Sequence, residues 1–252
     1  MKSKFITAAL LLAGLTAFSA GARETVYNAG PFDRIAQLGD IDIVYSSVPD
    51  SVGMVVYDSD KDFSDALEIT NKDGHLSIKE VREHGLGEIP GLRVYSDYLS
   101  EVKSEGDGTI EVYLTASTPV FSAKLIGNGR IVCDGVNSPK VKASITTGNG
   151  NIVLRGRCTE AKFELTGTGV IQADELEAVN VRCAALGTGS IGCWPEATLD
   201  VRGIGTTKIY YRGEPQIKKV GGARLWQIQP SDIPESTLPV EPSDDEEEDS
   251  DE

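Results

Sequence analysis

The sequence predicts an all-β chain, specifically a right-handed parallel β-helix-like solenoid with coils of about 20 residues. A β-meander or sandwich is the alternative. Three observations carry this. A glycine couplet followed by alternating apolar residues recurs five times, in LIGNGRIVC, ITTGNGNIVL, LTGTGVIQA, ALGTGSIGC and VRGIGTTKIY. The first glycines, Gly127, Gly148, Gly167, Gly187 and Gly203, are spaced by 21, 19, 20 and 16 residues, so the last coil is expected to be short. Helical periodicity is nearly absent, while short period-2 runs abound, and such alternation puts every second side chain on one face of a strand.

Taken in order, residues 1–22 read as a signal peptide. Lys2 and Lys4 precede an apolar stretch from Ile6 to Phe18 that is short for a membrane span. Ala20 and Ala22 supply the small residues of a cleavage site before Arg23. No cysteine lies near that site, which disfavours a lipoprotein. No later apolar run approaches the roughly 20 residues of a membrane helix. The chain is expected to be exported, to the periplasm, the outer-membrane surface or the extracellular space.

Residues 23–120 form a less regular β-rich portion. FDRIAQLGDIDIVYSS carries a single-glycine corner at Gly39, and Asp73-Gly74 reads as a hairpin between ALEIT and HLSIK. This portion either continues the stack with irregular coils or caps it as a small sandwich. Residues 80–108 read as a long excursion, and loops of that length are often functional.

Residues 121–228 hold the couplets. Each repeat is expected to contain two strands, the couplet as one corner and a variable polar turn as the other. Glycine suits the corner because it reaches positive φ without a Cβ clash. Equivalent apolar positions, Ile131, Ile152, Ile171 and Ile191, would stack into a continuous ladder, which favours the solenoid over the meander. In residues 229–252, prolines at 230, 234, 239 and 242 mark a linker, and DDEEEDSDE ends the chain. This tail is expected to be solvated and disordered, a solubilising end. A weak divalent-cation role is the alternative.

The formal charge is −15; setting aside the eight acids of residues 244–252 and the two leader lysines leaves −9 on the body. A negative body disfavours nucleic acid and anionic membranes. Cys133, Cys183 and Cys193 fall on apolar faces of strands and are expected to be buried as small apolar groups. Cys133 and Cys193 occupy equivalent places three coils apart, roughly 14 Å for a ~4.8 Å stack, too far for a disulfide. Cys158, in RGRCTE, is expected near the surface. No disulfide is expected.

The run EVYLTASTPVFSAKLIGNGRIV, the GNG and GTG corners, FDRIAQLGDIDIVYSS and ALEITNKDGHLSIKEV together resemble the head GIN domain of putative auto-transporter adhesins, exported proteins common in Bacteroidetes. The resemblance covers Phe32 to Tyr211. It implies a β-helix-type fold with two β-rich portions and supplies no catalytic motif. The leader without a lipobox and the long acidic tail depart from it.

No catalytic, cofactor-binding or metal residue is assigned. Gly187–Gly192 matches GxGxxG, but Cys193, Trp194 and Pro195 follow where a dinucleotide loop needs a helix. His75 and His84 lack convergent partners for a triad or zinc site. The nearest to a charged cluster is Glu80, Glu83, Asp97 and Asp107 with Lys79, Arg82 and Arg93, the basis of a polysaccharide-lyase-like alternative. The favoured reading is a non-enzymatic binding or scaffolding protein of the cell envelope, adhesin-like. It would present flat faces to a glycan or a cell-surface protein. The outward residues would be Lys140, Lys142 and Ser144; Lys162, Glu164 and Thr166; Arg182; and Arg202. Self-assembly into a homo-oligomer through open strand edges is the third possibility.

Overall fold

The computed structural model describes residues 23–59, 63, 65–81 and 89–228. The leader, part of the 80–108 excursion and the acidic tail lie outside them. The strands are β1 Arg23–Asn28, β2 Arg34–Leu38, β3 Ile43–Ser47, β4 Met54–Ser59, β5 Leu67–Lys72, β6 His75–Glu80, β7 Leu92–Ser96, β8 Glu101–Glu105, β9 Thr109–Tyr113, β10 Val120–Ile126, β11 Arg130–Thr147, β12 Asn151–Gly167, β13 Val170–Gly187, β14 Ser190–Gly205, β15 Lys208–Tyr211, β16 Gln216–Gly221 and β17 Arg224–Gln227. From β10 onward every pairing is parallel, so the chain is a β-solenoid and the meander is excluded. The Ile131, Ile152, Ile171 and Ile191 ladder forms in register, and all four are fully buried.

The coil differs from the sequence expectation in having three sides rather than two. The segment taken as a polar turn is itself paired: Val136, Gly156 and Leu176 stack, as do Ser138, Cys158, Ala178 and Pro195. Val136, Leu176 and Ala178 point into the core. Their spacing was hidden because bulges around Gly135, and between Ala173 and Glu177, break strict alternation.

The last corner is also displaced. Gly187 pairs with Gly205, not Gly203, and Gly203 pairs back to Ala185 inside the strand. The step is then 18 residues, and the third corner position is Thr207 instead of a second glycine. Its buried hydroxyl donates to the Gly187 carbonyl at 3.0 Å.

The couplet corners extend further back than expected, to Gly106-Asp107-Gly108, which sits between the corners at Gly39 and Gly127. The middle residues form a ladder of their own. Asp40 Oδ1 accepts from the Asp107 amide, Asp107 Oδ1 from Asn128, and Asn128 Oδ1 from the Asn149 amide, at 3.1, 3.3 and 3.2 Å. An Asx side chain at the middle position therefore satisfies a backbone donor that the sharp turn leaves free.

The N-terminal portion continues this stack, but out of sequence order. β2 lies between β6 and β8, and β3 between β7 and β9, all parallel. The coil built from β6 and β7 thus lies outside the one that precedes it in the chain. Antiparallel strands close that end: β5 on β6, β4 on β7 and β1 on β4. The β5–β6 turn is the expected hairpin, with Asp73 and Gly74 both at positive φ, as a two-residue primed turn requires. At the opposite end no strand among the described residues lies beyond β16, and all six of its residues are exposed.

The core is one column of side chains down the axis. Phe163 sits in a file with Ala143 before it and Cys183 after it, so the ring fills the room two small neighbours leave. Phe163→Ala should cost ~3–5 kcal/mol, read as a fall in the urea midpoint at unchanged slope. Cys133, Cys183 and Cys193 are buried as expected, and Cys158 is half-buried. Burial pushes the Cys158 thiol up to about 12. The Cys193 thiol is raised by its hydrogen bond to Cys183 and by burial. A thiol held neutral by the fold stabilises it fully below the unfolded value near 9. That stability is lost as pH rises from there toward about 12. Melting temperature should therefore fall above pH ~9, and less steeply in Cys158→Ser.

Candidate functional site

The strand that precedes each corner presents the outward ladders anticipated from sequence. One row is Lys140, Glu160, Asn180, Thr198 and Gln216. The next is Lys142, Lys162, Arg182, Asp200 and Lys218. The third is Ser144, Glu164, Ala184, Arg202 and Val220. Parallel registry fixes this, because each coil repeats the same in–out alternation and neighbouring coils lie ~4.8 Å apart. The first two rows line a shallow groove of about 660 Å³. A second depression of about 550 Å³ continues toward the corners, past Thr166, Leu186 and Ile204.

Charge is unevenly satisfied along the groove. Lys162 pairs with Glu164 at 2.6 Å, Arg202 with Asp200 at 3.6 Å and Lys140 with Glu160 at 3.9 Å. Lys142, Arg182 and Lys218 make no ion pair among the described residues. They are exposed, so their charges are available to a ligand. Beside them runs an apolar strip: Leu186, Ile204 and Val220 are 50, 73 and 58% exposed. The sequence reading missed this strip, although Leu186 and Ile204 stand out as apolar residues at outward positions of otherwise polar rows.

Of the charged cluster weighed for catalysis, the described members that come near one another are Glu80 and Asp107, on either side of Asp40, whose amide donates to Glu80 Oε2 and whose Oδ1 accepts from the Asp107 amide, each at 3.1 Å. Asp107 belongs to the corner ladder. Lys79 pairs with Glu68 at 3.5 Å. Arg93 binds Asp58 at 2.7 Å and Glu24 at 3.3 Å, and its hydrogen bond to Asp58 raises its pKa further. Asp97 is exposed on the segment after β7. Arg82, Glu83 and His84 lie outside the described residues. Among the described residues no group of three or more His, Cys, Asp or Glu is placed to hold a metal ion. Nor does any described helix have the length and apolarity to cross a membrane. The GxGxxG run at Gly187–Gly192 is a solenoid corner leading into a strand, not a strand-to-helix turn.

The family model described as "putative auto-transporter adhesin, head GIN domain" matches residues 31–215. The chain belongs to the head GIN domain family. Solved structures similar to this one include a putative adhesin from Bacteroides fragilis, at TM-score 0.74 and 21% identity over 83% of this chain and 98% of that one. A putative adhesin from Parabacteroides merdae aligns at TM-score 0.63 and 22% identity, over 83% and 97%. A putative lipid binding protein from Parabacteroides distasonis aligns at 0.65 and 19%, over 83% and 98%. At these identities the likeness is one of fold. No curated protein matches the chain.

Proposed function

We propose that this head GIN protein is an exported, adhesin-like binding module of the cell envelope that works without catalysis. In this reading the groove before the corners holds an extended glycan or a cell-surface protein segment. The observation that carries it is the row Lys142, Lys162, Arg182, Asp200 and Lys218, in register across parallel strands, with three cations that have no ion-pair partner among the described residues. A periodic face of this kind suits a periodic or extended ligand, because each coil offers the same donors at the same spacing. The family's adhesin description agrees with this reading. The leader at residues 1–22 would deliver the protein to the periplasm, the outer-membrane surface or beyond.

The test is an array of neutral and anionic glycans, with bound material analysed for cleavage. Binding without products is the expected result. Binding should weaken roughly ten-fold or more when Lys142, Arg182 and Lys218 are changed together to glutamine, because charge-assisted contacts supply most of the recognition. Cleaved products would overturn the non-catalytic reading. A blank array would direct the search to protein partners. Self-assembly through β16 is disfavoured by Lys218 and Lys219, adjacent charges on the open edge of the kind that blunts strand pairing.

A further inference from the structure

We propose that the protein's own acidic tail, residues 244–252, docks in the groove before the corners and covers Lys142, Arg182 and Lys218. The inference goes beyond the adhesin reading. It names a resident occupant that an external ligand must displace.

Three observations converge. The first is charge. The body as a whole is acidic, yet residues 208–228 hold Lys208, Arg212, Lys218, Lys219 and Arg224 against the single acid Glu214. The last coils, and the free cations of the groove beside them, therefore make a basic pole on an acidic protein. The tail puts eight carboxylates in nine residues and is repelled by the rest of the surface.

The second is reach. The described chain ends at Ile228, whose amide donates to the Tyr211 carbonyl at 2.8 Å, on the same terminal coil that presents Lys218. Fifteen residues, 229–243, separate it from Asp244. Fifteen residues of coil have an end-to-end distance of about 20–23 Å, which prolines such as those at 230, 234, 239 and 242 extend, so the tail reaches the whole groove. The groove spans the four strand steps from β11 to β16, about 19 Å at ~4.8 Å per step. The tether matches the site, and matched tethers give millimolar effective concentrations.

The third is pattern. Ile233, Leu238 and Val240 precede the acidic run, and an apolar strip of Leu186, Ile204 and Val220 adjoins the cationic rows. The linker and tail thus carry an apolar block followed by an acidic one, and the face offers an apolar strip beside cationic rows.

Zero-length carbodiimide coupling of carboxylates to amines, on the intact chain at low ionic strength, tests this without any glycan. A failure here is thereby separate from a failure of the adhesin reading. The chain is prepared as a mixture of light and nitrogen-15-labelled copies. Expected are links from residues 244–252 to Lys142, Lys162 or Lys218 within one copy. They should fall roughly ten-fold at about 0.5 M salt, where the screening length shrinks to about 4 Å. They should also fall at Lys162 when Lys142, Arg182 and Lys218 are changed to glutamine. Absence of tail links, links spread equally over Lys72, Lys79 and Lys103, or links joining only light to heavy copies would each overturn the proposal. A glycan-array signal that rises when the eight tail acids are changed to their amides would show the same displacement from the ligand's side.

Discussion

Gly148→Ala should cost at least ~3 kcal/mol. Gly148 has φ of +90°, a region L-residues enter at a cost of about 1–2 kcal/mol. Strain is the smaller part. A Cβ at this position would lie 2.6 Å from the Gly127 carbonyl carbon and closer still to its oxygen. That carbonyl belongs to the corner of the preceding coil. It cannot retreat, because the Gly127 amide is itself bound to the Thr147 carbonyl at 3.2 Å, and the Thr168 amide reaches the Gly148 carbonyl from the other side. Corners are stacked backbone on backbone, so one added methyl must push apart two coils that share the continuous strands β11 and β12. Gly192→Ala is the matched control. Its φ lies outside the left-handed range, and the nearest atom to its Cβ would be a carboxylate oxygen of Asp174, at 3.1 Å, with side-chain atoms of Asp174 and no backbone among the three nearest. It should change stability by less than ~1 kcal/mol. Urea unfolding of the two variants beside the parent decides the matter. Equal, small effects would mean that the couplets are not set by coil stacking.

That physical origin explains what the sequence revealed. Couplets are legible because close backbone approach admits only glycine, whatever the ligand or lineage. The outward ladders from Lys140 to Arg202 are legible for a related reason: once the corners are aligned, alternation assigns every intervening residue a side. The third side of the coil was not legible. Its inward residues, Val136, Leu176 and Ala178, are separated from the other strands by bulges that reset the alternation, and Gly156 stands in the same row as Val136 with no side chain to report it. The misplaced fifth corner has a similar cause. Thr207 replaces the second glycine, so the eye settles on Gly203-Ile-Gly205 two residues early. The reordered N-terminal coils lay beyond periodicity altogether. Nothing in the β2 or β6 sequence says that β6 will stack outside β2, because both strands bury alternate residues in the same phase, Ile35 beside Leu76 and Gln37 beside Ile78.

Gln37 is where that irregular portion is most exposed to mutation, and Gln37→Leu should cost ~3–5 kcal/mol although it removes no apolar contact. In the regular coils the carbonyl of the third corner residue accepts an amide from the next coil: Gly108 from Arg130, Gly129 from Asn151, Gly150 from Val170, Gly169 from Ser190. The corner at Gly39 lacks this arrangement. Its third residue is Ile41, and the amide that would serve it, on Thr109, turns instead to the Asp42 carboxylate at 2.8 Å. The Gln37 side chain fills the gap. Its Nε2 donates to the Gly39 carbonyl at 2.7 Å and the Ile41 carbonyl at 2.9 Å, and Ser104 Oγ donates to its Oε1. Both side chains are fully buried, so no water stands ready to replace them. Leucine would leave two carbonyls and a hydroxyl without partners, at ~1–3 kcal/mol each before relaxation. Gln37→Leu combined with Ser104→Ala should recover ~1 kcal/mol or more relative to the sum of the two single changes. That recovery arises because the orphaned hydroxyl goes with its partner, whereas Ile191→Val, buried several coils away, should add independently. Additivity of the Gln37 and Ser104 effects would mean that the amide acts by shape alone. Coupling would show that a single buried side chain does, at the one-glycine corner, the hydrogen bonding that backbone does at every other.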